Sequence, residues 1–350
     1  MFSVKLLKRF CTSLASVGLP AILALSVAGC NSGGSSSSAS STSSSTAVAV
    51  TLKNAKQVAG AGYQSLSSTN GAGSIGSSTL TAVVNSGGRA LPSLATFAQQ
   101  QIIRFEQNGS GGAVVAGVSQ SMSCDTPASG AAGTLSVSLS GGTTLAAGDT
   151  LSATFNQCYN AADGYTLNGS FKFVISALTG NPATAGTPWS AGGTFTFTNL
   201  SLMAGGSGET VNGAFSFNAS TKDGVTTDRT VSGTSLGIQN SGGPSLTFKT
   251  FKLVGTTDSA NGERTGYGSG KVVDSALNGY FNFNVPSTAP FVRYAGNAYP
   301  SSGTMTVTGA NNTSVRLTAI SSTAVQLQED TTGDGKYDKT VTESWVSLAG

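Results

Sequence analysis

From Val114 onward, apolar residues recur at every second position in short runs: Phe171-Lys-Phe173-Val-Ile175, Phe195-Thr-Phe197, Phe215-Ser-Phe217-Asn-Ala219, Phe281-Asn-Phe283-Asn-Val285 and Val315-Arg-Leu317-Thr-Ala319. An extended strand places i, i+2 and i+4 on one side, whereas a helix would scatter them. Each run therefore has one apolar and one polar face, which fits an antiparallel sheet packed on one side and wet on the other. Turn signals separate the runs: Gly141-Gly142, Ala162-Asp163-Gly164, Gly205 to Gly208, Asp223-Gly224, Ser241 to Pro244, Asn261-Gly262, Leu277-Asn278-Gly279 and Gly333-Asp334-Gly335. Their spacing predicts roughly 12 to 14 strands of roughly 5 to 8 residues, joined mostly by hairpins, over residues 111–350.

The alternation also slips. Phe195 and Phe197 fall out of phase with Leu200 and Leu202, and Phe248 with Phe251. A β-bulge inserts one unpaired residue and bends the strand, so slips of this kind predict curvature. The expected fold is all-β, a large antiparallel β-meander forming a curled sheet or a half-open or closed barrel. No fixed repeat length supports a propeller or β-helix.

Residues 47–110 read differently. Leu52 to Ser67 has helical character, and Ser93 to Gln107, after Pro92, places Leu94, Phe97, Ala98, Ile102 and Phe105 near a 3.6-residue period. One or two short N-terminal helices covering the sheet are expected.

The first 46 residues concern address. Lys5, Lys8 and Arg9 precede an apolar stretch from Leu14 to Val27, interrupted by Pro20 and followed by small residues. This order is that of a secretory signal over residues 1–29, and the apolar stretch is too short for the roughly 20 residues of a membrane helix. Its end, Leu25-Ser26-Val27-Ala28-Gly29-Cys30, resembles the lipobox of bacterial lipoproteins. That resemblance implies cleavage before Cys30, acylation of Cys30 and attachment to a membrane through a lipid anchor, each buried methylene contributing about 0.8 kcal/mol. Asn31 stands where Asp would be an inner-membrane retention cue, so the resemblance implies the outer membrane of the cell envelope. Residues 30–46, nearly all Ser, Gly and Thr, read as a tether that holds the folded part roughly 20 Å from the bilayer.

Removal of the signal takes three of the 18 basic residues and leaves 15 Lys/Arg against 15 Asp/Glu. A neutral chain with no run of Lys or Arg offers no footprint for phosphate backbones, so no nucleic-acid partner is expected. There is no His. Ser-His-Asp and Cys-His catalysis and His-ligated metals are thereby excluded. After processing, Cys124 and Cys158 are the remaining thiols, and an oxidising envelope would pair them in a disulfide.

The strongest candidate site is Asp330-Thr-Thr-Gly333-Asp334-Gly335-Lys336-Tyr-Asp338, with carboxylates at loop positions 1, 5 and 9 and Gly at 6. It resembles the Asp-rich calcium loops of EF-hand and dockerin modules, which implies calcium held by Asp330, Thr332, Asp334, Lys336 and Asp338 through side-chain and backbone oxygens. It departs from them at Thr332 and at Val341, which occupies the place of the bidentate Glu, and an acidic hairpin turn explains the same residues. Gly266-Tyr-Gly268-Ser-Gly270-Lys271 has the glycines of a phosphate loop but is followed by Val272-Val273-Asp274, a strand pattern instead of a helix, so it reads as a Gly-rich strand. Trp189, Trp345, Tyr294 and Tyr299 could stack on a sugar, although packing is the commoner use of such side chains. The segments Gly148 to Cys158 and Pro300 to Asn312, with Asp330 to Asp338 and Trp345, are similar to uncharacterised proteobacterial envelope lipoproteins. That resemblance implies a secreted β-rich domain and no known activity.

The leading expectation is a non-catalytic, outer-membrane-anchored lipoprotein whose β-domain serves structure or binding, with its protein, glycan or lipid partner unidentified and no catalytic residues. Two alternatives stay open. One is a carrier of an apolar ligand in a half-open barrel; the other is a His-free glycosidase or carbohydrate-binding module, whose hydrolysis needs only two carboxylates.

Overall fold

The computed structural model describes residues 46–72, 119–128, 130–140, 146–161, 164–180, 186–205 and 207–349. The signal, Cys30, most of the tether, the helix expected over Ser93–Gln107 and the Gly141-Gly142 turn lie outside the described residues.

The chain is an antiparallel meander of fifteen described strands. They are β1 (Ser119–Ser123), β2 (Thr134–Ser140), β3 (Thr150–Asn160), β4 (Tyr165–Gly180), β5 (Trp189–Ala204), β6 (Ser207–Thr221), β7 (Thr226–Asn240) and β8 (Ser245–Asp258), then β9 (Arg264–Asp274), β10 (Gly279–Val285), β11 (Phe291–Arg293), β12 (Thr304–Thr308), β13 (Ser314–Ala319), β14 (Ala324–Asp330) and β15 (Lys339–Ser344). Each strand pairs with its sequence neighbour, except that β11 folds back onto β9 and β12 takes its place beside β10. The first and last strands do not pair, so the sheet stays open and the closed-barrel form of the expectation is not adopted. Successive hairpins alternate between two ends. One end carries the β6–β7, β8–β9 and β13–β14 turns; the other carries the β3–β4, β7–β8 and β14–β15 turns.

The phase slips are bulges. The β4–β5 and β5–β6 registers shift around Asn199, and the β8–β9 register shifts between Lys249 and Lys252. Asn199 and Thr250 adopt left-handed φ of 46° and 45°, as does Gln157 at 48° in β3. The inserted residue restores the frame, so Phe195, Phe197 and Leu200 are all buried on one face, as are Phe248 and Phe251. The unpaired amides are satisfied across the sheet: Asn168 Oδ1 accepts from Gln157 N at 2.8 Å and Asn212 Oδ1 from Asn199 N at 2.6 Å.

Strands β4 to β8 run 14 to 16 residues, well beyond the expected length. Their polar stretches, such as Ser190 to Thr194, lack the apolar alternation that marks a strand but keep their ladder partners. Phe173, Phe195 and Phe215 lie opposite one another across β4, β5 and β6, and the first two rings stack at 4.3 Å.

Helix α1 (Ala55–Ala72) realises the expected N-terminal helix. Its residues Val58 to Tyr63 are all buried, which a helix lying on one flat surface could not achieve. It touches β7, β8 and β9 and also β12, β13 and β14, so the sheet curls around it. Small residues make this enclosure fit: a Cβ on Gly60 would meet the Leu348 carbonyl oxygen at 2.5 Å, and one on Gly62 would meet Val307 Cγ2 at 2.6 Å. Helix α2 (Trp345–Ala349) seals the end of the concavity, with Trp345 fully buried among Tyr63, Phe291 and Tyr299. Among the described residues no helix is long and apolar enough to cross a membrane.

Candidate functional site

The Asp330–Asp338 segment is the β14–β15 hairpin turn. Asp330 Oδ1 accepts from Gly333 N at 2.7 Å and from Thr332 Oγ1 at 3.4 Å, and its Oδ2 accepts from Gly335 N at 2.9 Å. Gly333 and Gly335 take φ of 75° and 81°, the left-handed region that lets their amides fold back on one carboxylate. Asp334 Oδ1 accepts from Lys336 N, and Asp338 Oδ2 accepts from both Thr331 N and Thr331 Oγ1. The hydroxyl and amide of Thr331 hold the Asp338 carboxyl below the usual carboxylate range. The structure thus gives Asp330, Asp334 and Asp338 separate backbone amides of the turn. Thr332 and Lys336 are exposed. Among the described residues no three His, Cys, Asp or Glu side chains gather as metal ligands.

Several aspartates at other turns behave alike. Asp223 Oδ1 accepts from the amides of Thr226 and Val225 and the hydroxyl of Thr221, which lower its pKa to about 2. Asp149, Asp258 and Asp274 each accept from a backbone amide within three residues. Glu329 differs: it is buried on the concave face beside Leu327, opposite Lys339, and burial pushes its carboxyl up against the opposing pull of Lys339. It sits at the turn end of β14, whereas Trp189 and Trp345 lie at the other end of the sheet.

Cys124 and Cys158 form the expected disulfide, with Cα atoms 5.2 Å apart. It fastens the end of β1 to the strand segment just past the Gln157 bulge. Gly266 to Lys271 lies wholly within β9, as a Gly-rich strand. Of the aromatic residues near Pro290 and Pro300, Phe291 and Tyr299 are core and Tyr294 is exposed.

The sheet also builds something the linear order does not display. Although the sequence has no run of basic residues, Arg229 of β7, Arg264 of β9 and Arg293 of β11 share one face of the sheet. Arg264 lies directly opposite Arg293, and Thr257 of β8 lies opposite Arg264. Arg229 donates from Nη1 to Thr257 Oγ1 at 3.1 Å. Phe291, two residues from Arg293 and therefore on the same face, meets Tyr63 of α1 edge to face at 6.0 Å. The cluster thus lies on the concave side, at the end sealed by Trp345. Burial lowers the pKa of Arg229 to about 10, with the Arg264 charge adding to the shift, and burial likewise lowers Arg264 and Arg293. Separations of 35 and 29 residues hide the cluster from any scan for charge runs, and only strand register reveals it. Comparison with family models, curated proteins and solved structures finds no match.

Proposed function

We propose that this chain is a lipoprotein anchored through Cys30 to the outer membrane, whose β-domain serves a structural or binding role without catalysis. The observation that carries the non-catalytic reading is the enclosure of α1 by the curled sheet: a helix and an aromatic cluster stand in the concavity where an enzyme of this architecture would place a cleft. The use of turn carboxylates as backbone acceptors supports it further. The lipobox and Ser-rich tether supply the address.

The test is native mass spectrometry of the protein purified from its own envelope, before and after chelation. A bare mass, or one carrying an unmodified lipid or glycan, upholds the reading and separates scaffold from binder. Loss of one calcium on chelation would assign metal to the Asp330–Asp338 turn. Capture of a cleaved glycan product, with turnover of its parent that Glu329→Gln abolishes, would overturn the non-catalytic reading.

A further inference from the structure

We propose that two copies of this chain pair through the free edge of β15, antiparallel and about a two-fold axis at Val341, so that Lys339 of each copy faces Glu343 of the other. The inference goes beyond the proposed anchoring and does not depend on it.

Strand β15 ends the sheet: it pairs with β14 on one side and with no described strand on the other. Antiparallel neighbours alternate between residues that exchange backbone hydrogen bonds and residues that do not. Trp345 N donates to the Thr323 carbonyl at 3.1 Å, one step beyond the Ala324–Ser344 pair. The backbone groups of Lys339, Val341 and Glu343 therefore turn toward β14, and those of Thr340 and Thr342 turn outward. Thr340 and Thr342 are exposed, and among the described residues no other backbone group bonds their outward amides and carbonyls. An unpaired row of this kind is a template for another strand.

The side chains select which strand. Lys339-Thr340-Val341-Thr342-Glu343 is symmetric about Val341, except that Lys at one end answers Glu at the other. When Thr340 exchanges hydrogen bonds with Thr342 of an antiparallel second copy, Val341 meets Val341 and Lys339 meets Glu343 as the closer, non-hydrogen-bonded pairs. Sliding the second copy by two residues sets Val341 against Lys339 or against Glu343 and forfeits both charge pairs. A lone Lys on a sheet edge discourages pairing, but here the symmetry mate supplies its counter-ion. Lys339 is exposed and makes no ion pair among the described residues. Glu343 Oε2 accepts from Lys56 Nζ at 2.9 Å, and a carboxylate has lone pairs for a second cation. Val341 lies opposite buried Leu327 and is itself half-buried, so pairing covers its remaining surface. The other free edge, Ser119 to Ser123 of β1, carries no charge to answer Lys339 or Glu343. The pairing is thus isologous and closes at two copies. A six-residue edge is small for a permanent dimer, so the association is reversible.

The test is oxidative cross-linking of the protein purified in detergent, with copper–phenanthroline as oxidant and the wild type as background. Val341→Cys places two thiols in a non-hydrogen-bonded pair with Cα atoms about 4.5 Å apart, within disulfide reach. Thr340→Cys and Thr342→Cys each place theirs on a diagonal of about 7 to 8 Å, at or beyond the limit. The expected result is a covalent dimer for Val341→Cys, bridged through β15 by peptide mapping, and little for the other two. In the Val341→Cys background, Lys339→Glu or Glu343→Lys alone turns both charge pairs repulsive and should lower dimer yield about tenfold. Mixing the two variants, differently tagged, restores opposite charges at both positions and should return the yield as the mixed dimer. No bridge in Val341→Cys, or equal bridging at positions 340, 341 and 342, overturns the proposal. So does an undiminished yield in the charge variants. The cysteine scan, made at exposed and half-buried positions, decides the register even where a charge reversal impairs folding.

Discussion

Trp345 is the perturbation that best probes how the sheet closes on its helix. Its indole is fully buried, stacked on Tyr299 at 5.8 Å and tilted against Tyr63 at 4.7 Å, and its Nε1 donates to the Ser321 carbonyl at 3.0 Å. Replacing a fully buried aromatic with Ala removes its transfer energy and leaves a cavity, together worth about 3 to 5 kcal/mol. Trp345→Phe keeps most of the ring contact but loses the hydrogen bond. Ser321 is half-exposed, so water can reach its freed carbonyl, and the expected loss is about 2 kcal/mol. For a folded unit of this size each kcal/mol shifts Tm by about 2 to 4 °C. Trp345→Ala should therefore lower Tm by about 6 to 20 °C and Trp345→Phe by about 4 to 8 °C, read by circular dichroism. Trp189, half-buried at the start of β5, is the control, and Trp189→Phe should cost less than Trp345→Phe. If Trp345→Ala moves Tm by less than about 3 °C, α2 does not seal the core and the enclosure of α1 is wrong.

Two further outcomes follow from the same structure. Reduction of Cys124–Cys158 releases a loop with a sequence separation of 34, which by loop-closure entropy destabilises the fold by about 3 to 4 kcal/mol; chemical denaturation with and without reductant should show a loss of that size, and coincident curves would show that the bridge does not hold the β1–β3 end together. Burial raises the Glu329 carboxyl above its unfolded value, so the folded state holds that proton more tightly, and the stability this brings is present at low pH and lost as pH rises through the folded value. Glu329→Gln should be more stable than wild type at pH 7 and should flatten the decline as pH rises above the ordinary carboxylate range; an identical pH profile for both would place Glu329 in water.

The residues that disclosed the fold in sequence were those whose spacing is itself a backbone statement. Phe171, Phe173 and Ile175 could share a face only as a strand, and the slip between Phe197 and Leu200 located the Asn199 bulge. Gly224, Gly242, Gly262 and Asn278 marked turns through the left-handed φ they supply. Strand length was less legible. Ser190 to Thr194 carries no apolar pattern, and its extension depends on ladders to β4 and β6 that the segment itself does not encode. The helix at Ala55 was visible only in the general helical character of Leu52 to Ser67, and its burial on all sides was not, because Gly60 and Gly62 matter only against Leu348 and Val307, far along the chain. In the acidic turn, the sequence pattern carried the residues but not their partners: Asp330 and Asp338 face backbone amides at distances only the hairpin geometry sets. The arginine cluster was illegible for a related reason, since register across β7, β8, β9 and β11 brings it together.

The most direct test of the central claim, that this β-domain is held to the membrane through its N-terminus, is mass spectrometry of the N-terminal peptide of the protein expressed in its native envelope. The account predicts a peptide that begins at Cys30 and carries a diacylglyceryl thioether and an amide-linked acyl chain. An unmodified Cys30 within a longer peptide, or a soluble chain cut elsewhere, would contradict it.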